Sequence, residues 1–229
     1  MITVDIGTLI GFLPRLMGGL VNTILLTIAS LIIATVFGML LAMGRVYGKA
    51  PLTTIIYVYE KIFRGVPLLV IFFLVYLGLG QIGINLLPFT AAIIGLALRS
   101  SAYQAQIFRS AINSIPEGQN IAARTLGMTK VQSIIHIMIP QVLRLSIPSW
   151  SNEFTIVLKD TSIALALGVP ELLRVAGQTY AIPKYFDYIL PILLVVAIIY
   201  FIIVLLVNKT LGYLEKKYKM AGFEVSVER

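Results

Sequence analysis

The chain has 229 residues, of which 59% are hydrophobic and 12% charged, about half the charge of an ordinary soluble domain. A soluble fold of this length would leave much of that apolar surface in water, so a membrane protein is expected. The net charge of +8 does not point to nucleic acid, because the cations gather between apolar runs and near the C-terminus, as in the cytoplasmic loops of membrane proteins.

A spanning helix needs about 20 apolar residues. Leu20 to Met43 is uncharged and predicts a first span over about 18–43. Asp5 and Arg15 interrupt the stretch before it, so no secretory signal peptide is expected. Gly65 to Leu98 is also uncharged, but it is too long for one helix and is broken by Gly78, Gly80, Gly83 and Pro88. Two helices joined by a short turn follow. Each reaches spanning length only by extending through an arginine, Arg64 in the second span (54–78) and Arg99 in the third (88–111).

Ser114-Ile115-Pro116-Glu117 combines a capping-box pattern with proline in the first turn, and Gly127 suits a helix stop. The loop at 114–140 is therefore expected to hold a short helix, with Ile121, Thr125 and Leu126 on one face. On these residues alone, an amphipathic helix lying on the bilayer fits equally well.

The fourth span, 145–169, carries Glu153, Lys159 and Asp160 and is required by parity. The loops near Arg45 and Lys49, and near Arg109, Arg124 and Lys130, are basic. So is the tail with Lys209, Lys216, Lys217 and Lys219, after a last span at 188–211. Basic segments face the cytoplasm, and the 109–130 loop and the tail share a side only if two spans separate them. The expected fold is an all-α integral membrane protein of five transmembrane helices, N-terminus out and C-terminus in. A short cytoplasmic helix lies between spans three and four, and the chain forms a single domain over 1–229. Tyr57, Tyr59, Tyr76, Trp150, Tyr180, Tyr185 and Tyr188 flank the spans and read as an interfacial aromatic belt. Gly18, Gly19 and Gly38 read as close-packing positions.

Chemistry of other kinds has little to work with. There are no cysteines and one histidine, His136, so no disulfide, thiolate metal site or histidine cluster is expected. The chain holds no G-x-x-x-x-G-K-[ST], so it does not bind ATP through a P-loop.

Ile121-Ala122-Ala123-Arg124-Thr125-Leu126-Gly127, followed after nine residues by Ile137-Met138-Ile139-Pro140, resembles the EAA loop of binding-protein-dependent ABC importer permeases. Gly118-Gln119, Pro140-Gln141, Ser101-Ala102-Tyr103, Ile107-Phe108-Arg109 and Leu158-Lys159-Asp160-Thr161-Ser162 are similar to the polar amino acid branch. The resemblance runs from about Gly19 to the last span. Three positions depart from the pattern. Ile121 stands where the triplet has glutamate, with Glu117 one turn upstream; Gln106 stands where an acidic residue is frequent; Ile139 replaces leucine conservatively.

The resemblance implies a prokaryotic inner (plasma) membrane protein whose cytoplasmic helix couples to a separate ABC ATP-binding subunit through Glu117, Ile121, Ala122, Ala123 and Gly127. ATP and Mg would be bound by that partner, with no cofactor in this chain. It also implies a second permease subunit, identical or different, an extracytoplasmic solute-binding protein and an amino acid substrate.

Ionisable groups at bilayer depth are functional candidates. Glu153 and Asp160 lie about two helical turns apart on one face, which suits a cationic amino acid such as arginine, lysine or histidine. The alternative is that Asp160 pairs with Arg64 or Arg99 and holds the bundle together. Lys159 adjoins Asp160 in sequence, but adjacent helical residues do not face each other. Asn22, Arg99, Ser101 and Gln104 are further substrate-lining candidates, and bonding between helices is the alternative for each. The carboxylate of an amino acid needs donors, for which Arg99, Arg64 or a broken helix end near Pro67 are the candidates. An ion-coupled secondary amino acid transporter, with Glu153 and Asp160 as a proton relay, is the competing function. Such a protein would not need the cytoplasmic helix and would be expected to show inverted repeats.

Overall fold

The structure is a computed structural model and describes residues 6–218; Asp5 and Lys219 lie outside them. The described residues form helices joined by short turns. Helix α1 (Ile6–Tyr47) contains the predicted first span. Helix α2 (Leu52–Gly65) is followed by α3 (Leu68–Phe73), a π turn (Leu74–Gly78) and α4 (Leu79–Gln81). Helix α5 (Pro88–Ser114) returns beside α1, α6 (Glu117–Thr125) occupies the loop, and α7 (Lys130–Ser133) leads through a second π turn (Ile134–Met138) into α8 (Ile139–Asp160). A 3-10 segment (Thr161–Leu167), α9 (Leu172–Tyr180), a second 3-10 segment (Pro183–Tyr188) and α10 (Ile189–Tyr218) complete the chain.

Two stretches, Gly11–Tyr47 and Pro183–Tyr218, are long and apolar enough to cross a membrane unaided. The predicted second span is not straight: α2 and Leu68–Gln81 are bent by 109°. Pro67 is the cause. It lacks an N–H and its ring disfavours helical backbone in the preceding residue, and Val66 is extended with φ −87° and ψ 134°. The predicted fourth span also differs. Its α-helix ends at Asp160, and Gly168 takes a left-handed φ of +89°.

Three apolar cores hold the bundle. One packs Leu68, Ile71, Phe72 and Val75 against Ala91, Ala92 and Leu96 of α5. A second packs Phe12 and Leu16 of α1 against Leu172, Ala176, Ile192 and Val196. The third joins Ala42, Phe108, Ile112, Met138 and Val142 where α1, α5 and α8 meet beside the short helix. The outward faces of α1 and α10 stay apolar, with Ile32, Leu40, Leu190 and Phe201 exposed, as helices in contact with lipid require.

Two of the three predicted packing glycines sit at close approaches. A Cβ on Gly19 would lie 2.9 Å from the Leu172 Cα, and one on Gly38 would lie 2.8 Å from the Gln104 Cβ and 3.1 Å from the Ser101 carbonyl oxygen; Gly18 faces open space. Gly38→Val should therefore force α1 off α5. Overpacking of this kind costs about 1–3 kcal/mol, which a thermal melt of the purified protein should register as a lowered midpoint. An unchanged midpoint would show that the seam opens freely.

The predicted capping box at Ser114 does not form. Pro116 is the N-cap of α6 with no side-chain cap, and the Ser114 Oγ donates back to the Ala111 carbonyl at 2.8 Å. The reciprocal box instead opens α7, where the Thr129 Oγ1 accepts from the Gln132 N–H at 3.2 Å and the Gln132 Oε1 accepts from the Thr129 N–H at 2.8 Å.

Candidate functional site

Two regions gather the polar side chains that the sequence singled out. The first lies between α1, α2, α5 and α8. Arg99 of α5 donates to the Asp160 carboxylate, so of the two readings left open for Asp160 the structure displays the pairing one. Glu153, two turns earlier on α8, is 4% exposed. It accepts from the Ser100 Oγ at 2.7 Å, and no cation lies within ion-pair range among the described residues. The Gln104 Nε2 donates to the same Ser100 hydroxyl at 3.2 Å. The Gln104 Oε1 accepts from the Thr35 Oγ1 at 2.9 Å and from the Trp150 Nε1 at 3.1 Å. The result is one chain of hydrogen bonds through three helices that ends on a buried carboxylate. In such a network every unmet partner is costly.

On the neighbouring side, the Tyr59 hydroxyl of α2 meets the Ser101 Oγ at 2.7 Å and donates to the Leu98 carbonyl at 2.9 Å. Arg64 and Arg99 each sit 5.1 Å from the Tyr103 ring centroid, within cation–π range. Arg64 is exposed and has no carboxylate partner among the described residues. Asn22 stands apart from this cluster: its side-chain amide donates to the Pro170 carbonyl at 2.8 Å. Beside it the Thr23 Oγ1 accepts from the Leu172 N–H at 3.1 Å, so this pair fastens the start of α9 to α1.

Sequence reasoning missed Thr35, Ser100, Tyr59 and Trp150. Trp150 and Tyr59 were assigned to the aromatic belt, yet their polar atoms point into the bundle. An open apolar cleft of about 370 Å³ lies between α1 and α8, lined by Ile28, Leu31, Ile32, Thr35, Val36, Trp150 and Phe154. It shares Thr35 and Trp150 with the network, but no charged group lines it.

The second region is the end of the bundle that carries α6. Glu117, Ile121, Ala122, Thr125 and Leu126 are exposed and Ala123 is buried. Ile121 is 59% exposed and Leu126 85%, a large apolar protrusion for so short a helix. Its inner face is tied down. The Ser133 Oγ donates to the Asn120 Oδ1 at 2.8 Å, and the Gln141 Nε2 donates to the Gln119 Oε1. Gly127, with φ +86°, ends the helix in a Schellman arrangement. The Gly127 N–H bonds the Arg124 carbonyl at 3.0 Å and the Met128 N–H bonds the Ala123 carbonyl at 3.1 Å, satisfying carbonyls that a helix end otherwise leaves free.

Comparison with known proteins gives a consistent picture. The model of a family described as "Binding-protein-dependent transport system inner membrane component" matches residues 34–220. The L-cystine transport system permease protein TcyB of Bacillus subtilis (strain 168) is 37% identical over 206 residues, covering 90% of this chain and 87% of the relative. The arginine transport system permease protein ArtQ of the same organism is 31% identical over 216 residues, covering 94% and 97%. Among solved structures, an amino acid ABC transporter crystallised with histidines superposes with a TM-score of 0.83 at 34% identity, covering 94% of this chain and all of that one.

Proposed function

The chain belongs to the family of binding-protein-dependent transport system inner membrane components, and we propose that it is the permease subunit of an ATP-driven importer for polar, and specifically basic, amino acids. It crosses the inner membrane of a prokaryote five times, N-terminus out and C-terminus in. It pairs with a second permease subunit of identical or related sequence. ABC ATP-binding subunits hold the ATP and Mg on the cytoplasmic side, and an extracytoplasmic solute-binding protein delivers the substrate. The resemblance to amino acid permeases supports the transported class.

The observation that carries the preference for basic substrates is Glu153, a carboxylate 4% exposed, bonded to one hydroxyl and lacking a cation partner among the described residues. A buried charge is expensive until it is paired. The positive side chain of an arriving amino acid supplies that pair. In this reading Asp160 and Arg99, already bonded to each other, line the substrate pathway near Glu153 with Ser101 and Gln104, and Asn22, set apart beside α9, lines its approach. In the same reading the substrate carboxylate meets Arg64, which is exposed beside Tyr103. Coupling runs through α6: Ile121, Ala122 and Leu126 fill an apolar groove of the ATP-binding subunit, Glu117 replaces the missing triplet glutamate, and Ala123 and Gly127 fix the helix in place.

The test is ATP hydrolysis by the assembled complex, with its solute-binding protein, across the proteinogenic amino acids. Basic amino acids should stimulate hydrolysis most. Glu153→Gln should weaken uptake of basic substrates by about 10–100-fold, the equivalent of ~1.5–3 kcal/mol for a charged hydrogen bond, and should leave neutral substrates much less affected. Equal loss for both classes would remove the charge-reading role. Transport abolished by a protonophore but indifferent to ATP depletion would favour the ion-coupled alternative.

A further inference from the structure

Helix α2 has three chemically distinct faces. Successive residues turn roughly 100° about a helix axis. One sector, with Ile56 and Glu60, is buried against α1 and α5. A second, with Leu52, Ile55, Val58 and Ile62, is apolar and exposed. A third holds Tyr57 and Lys61, both exposed. The 109° bend sets α2 nearly perpendicular to the α3–α4 segment that packs along α5, so α2 lies across the bundle rather than along it.

The third sector is built as a cation pair around a ring. The Arg45 guanidinium is 4.9 Å and the Lys61 ammonium 5.5 Å from the Tyr57 ring centroid. Arg45 is steadied by one bond from its Nη1 to the Thr53 carbonyl at 3.0 Å, while its Nε is buried with no hydrogen-bond partner. The one carboxylate of α2, Glu60, points the other way and is held by Arg109 through both oxygens. Neither Arg45 nor Lys61 has an ion-pair partner among the described residues, and Lys49 stands exposed one turn before α2. The site is at the α6 end of the bundle, because Lys130 of α7 sits 5.3 Å from the ring of Tyr47 at the end of α1.

We propose that Arg45, Lys61 and Tyr57 form a binding site for an anionic phospholipid headgroup of the cytoplasmic leaflet, with α2 lying in the interface and its Leu52–Ile55–Ile62 stripe in the acyl layer. Two unpartnered cations supply the charge complement, and the adjoining apolar sector accepts the chains of the same molecule, the division of faces an interfacial helix requires. Free phosphate has no use for that apolar sector. The proposal uses the orientation given above. Its test involves no transport, so its failure would leave the transport reading standing.

The experiment is native mass spectrometry of the purified full-length chain with equimolar phosphatidylglycerol and phosphatidylcholine. The wild-type chain should retain phosphatidylglycerol preferentially. Arg45→Gln with Lys61→Gln should lower that preference about 30-fold, at about fivefold for each cation beside an anionic leaflet, and leave phosphatidylcholine retention unchanged. Lys61→Gln alone, an exposed change that spares the fold, should lower it about fivefold, and Lys61→Arg should restore it. Removing charge elsewhere, by Lys216→Gln with Lys217→Gln, should have no effect. A preference that survives the double substitution, no preference in the wild type, or displacement of the lipid by inorganic phosphate would overturn the proposal.

Discussion

Arg109→Ala should be the most damaging single substitution in the bundle, lowering stability by about 3–5 kcal/mol. Glu60 is 3% exposed, and both of its oxygens are held by the Arg109 Nη1, at 2.7 and 2.8 Å. Without the guanidinium, a buried carboxylate between α2 and α5 has neither water nor a partner, and that desolvation exceeds anything lost from the contact itself. The double variant Glu60→Leu, Arg109→Leu removes both charges together and should recover most of the loss. Denaturant or thermal unfolding of the wild type, Arg109→Ala and the double variant in detergent provides the comparison. If Arg109→Ala and the double change prove equally unstable, the pair acts by packing and the electrostatic account fails.

Gly127→Val should have the largest effect on coupling. Gly127 is left-handed, at φ +86°, a conformation that costs a residue with a Cβ roughly 1–2 kcal/mol and a β-branched one at least that. A Cβ there would meet no neighbouring atom, so the penalty is purely one of backbone. Relief comes by unwinding the end of α6, which breaks the bonds from Gly127 and Met128 to Arg124 and Ala123 and displaces Leu126. With Leu126 in the groove of an ATP-binding subunit, as proposed, affinity for that subunit should fall about tenfold, while the melting behaviour of the isolated chain changes little. Co-purification with the ATP-binding subunit measures the effect. Full retention of that partner would remove α6 from the interface.

How much of this was legible in sequence depended on the range of the interaction. The uncharged runs that marked the first and last spans are helical in the structure. Gly127 stops α6 as expected, because a left-handed residue is a local requirement. Ser114 failed as a cap because Pro116 starts the helix one residue before Glu117 and leaves the serine inside the end of α5. Pro67 was legible as a place where a helix could break, but the 109° bend of the 54–78 stretch was not, because the apolar run continues across it unchanged. In the site, Glu153, Asp160 and Arg99 were visible as charges in apolar surroundings, and the pairing of Asp160 was one of two readings considered. Trp150 and Thr35 were not visible as partners. They are 115 residues apart, and nothing local in either stretch announces the other.

The widened turn at Ile134–Met138 has a mechanical consequence. A π turn holds one residue more than the α-helical path between the same points. It can migrate by exchanging hydrogen bonds one at a time, with no peptide group left bare. Each one-residue step would swivel the side chains it passes by roughly 100°. Placed between α7 and α8, and with α6 coupled as proposed, it would deliver a push on α6 to Trp150 and Glu153 as torsion rather than as translation.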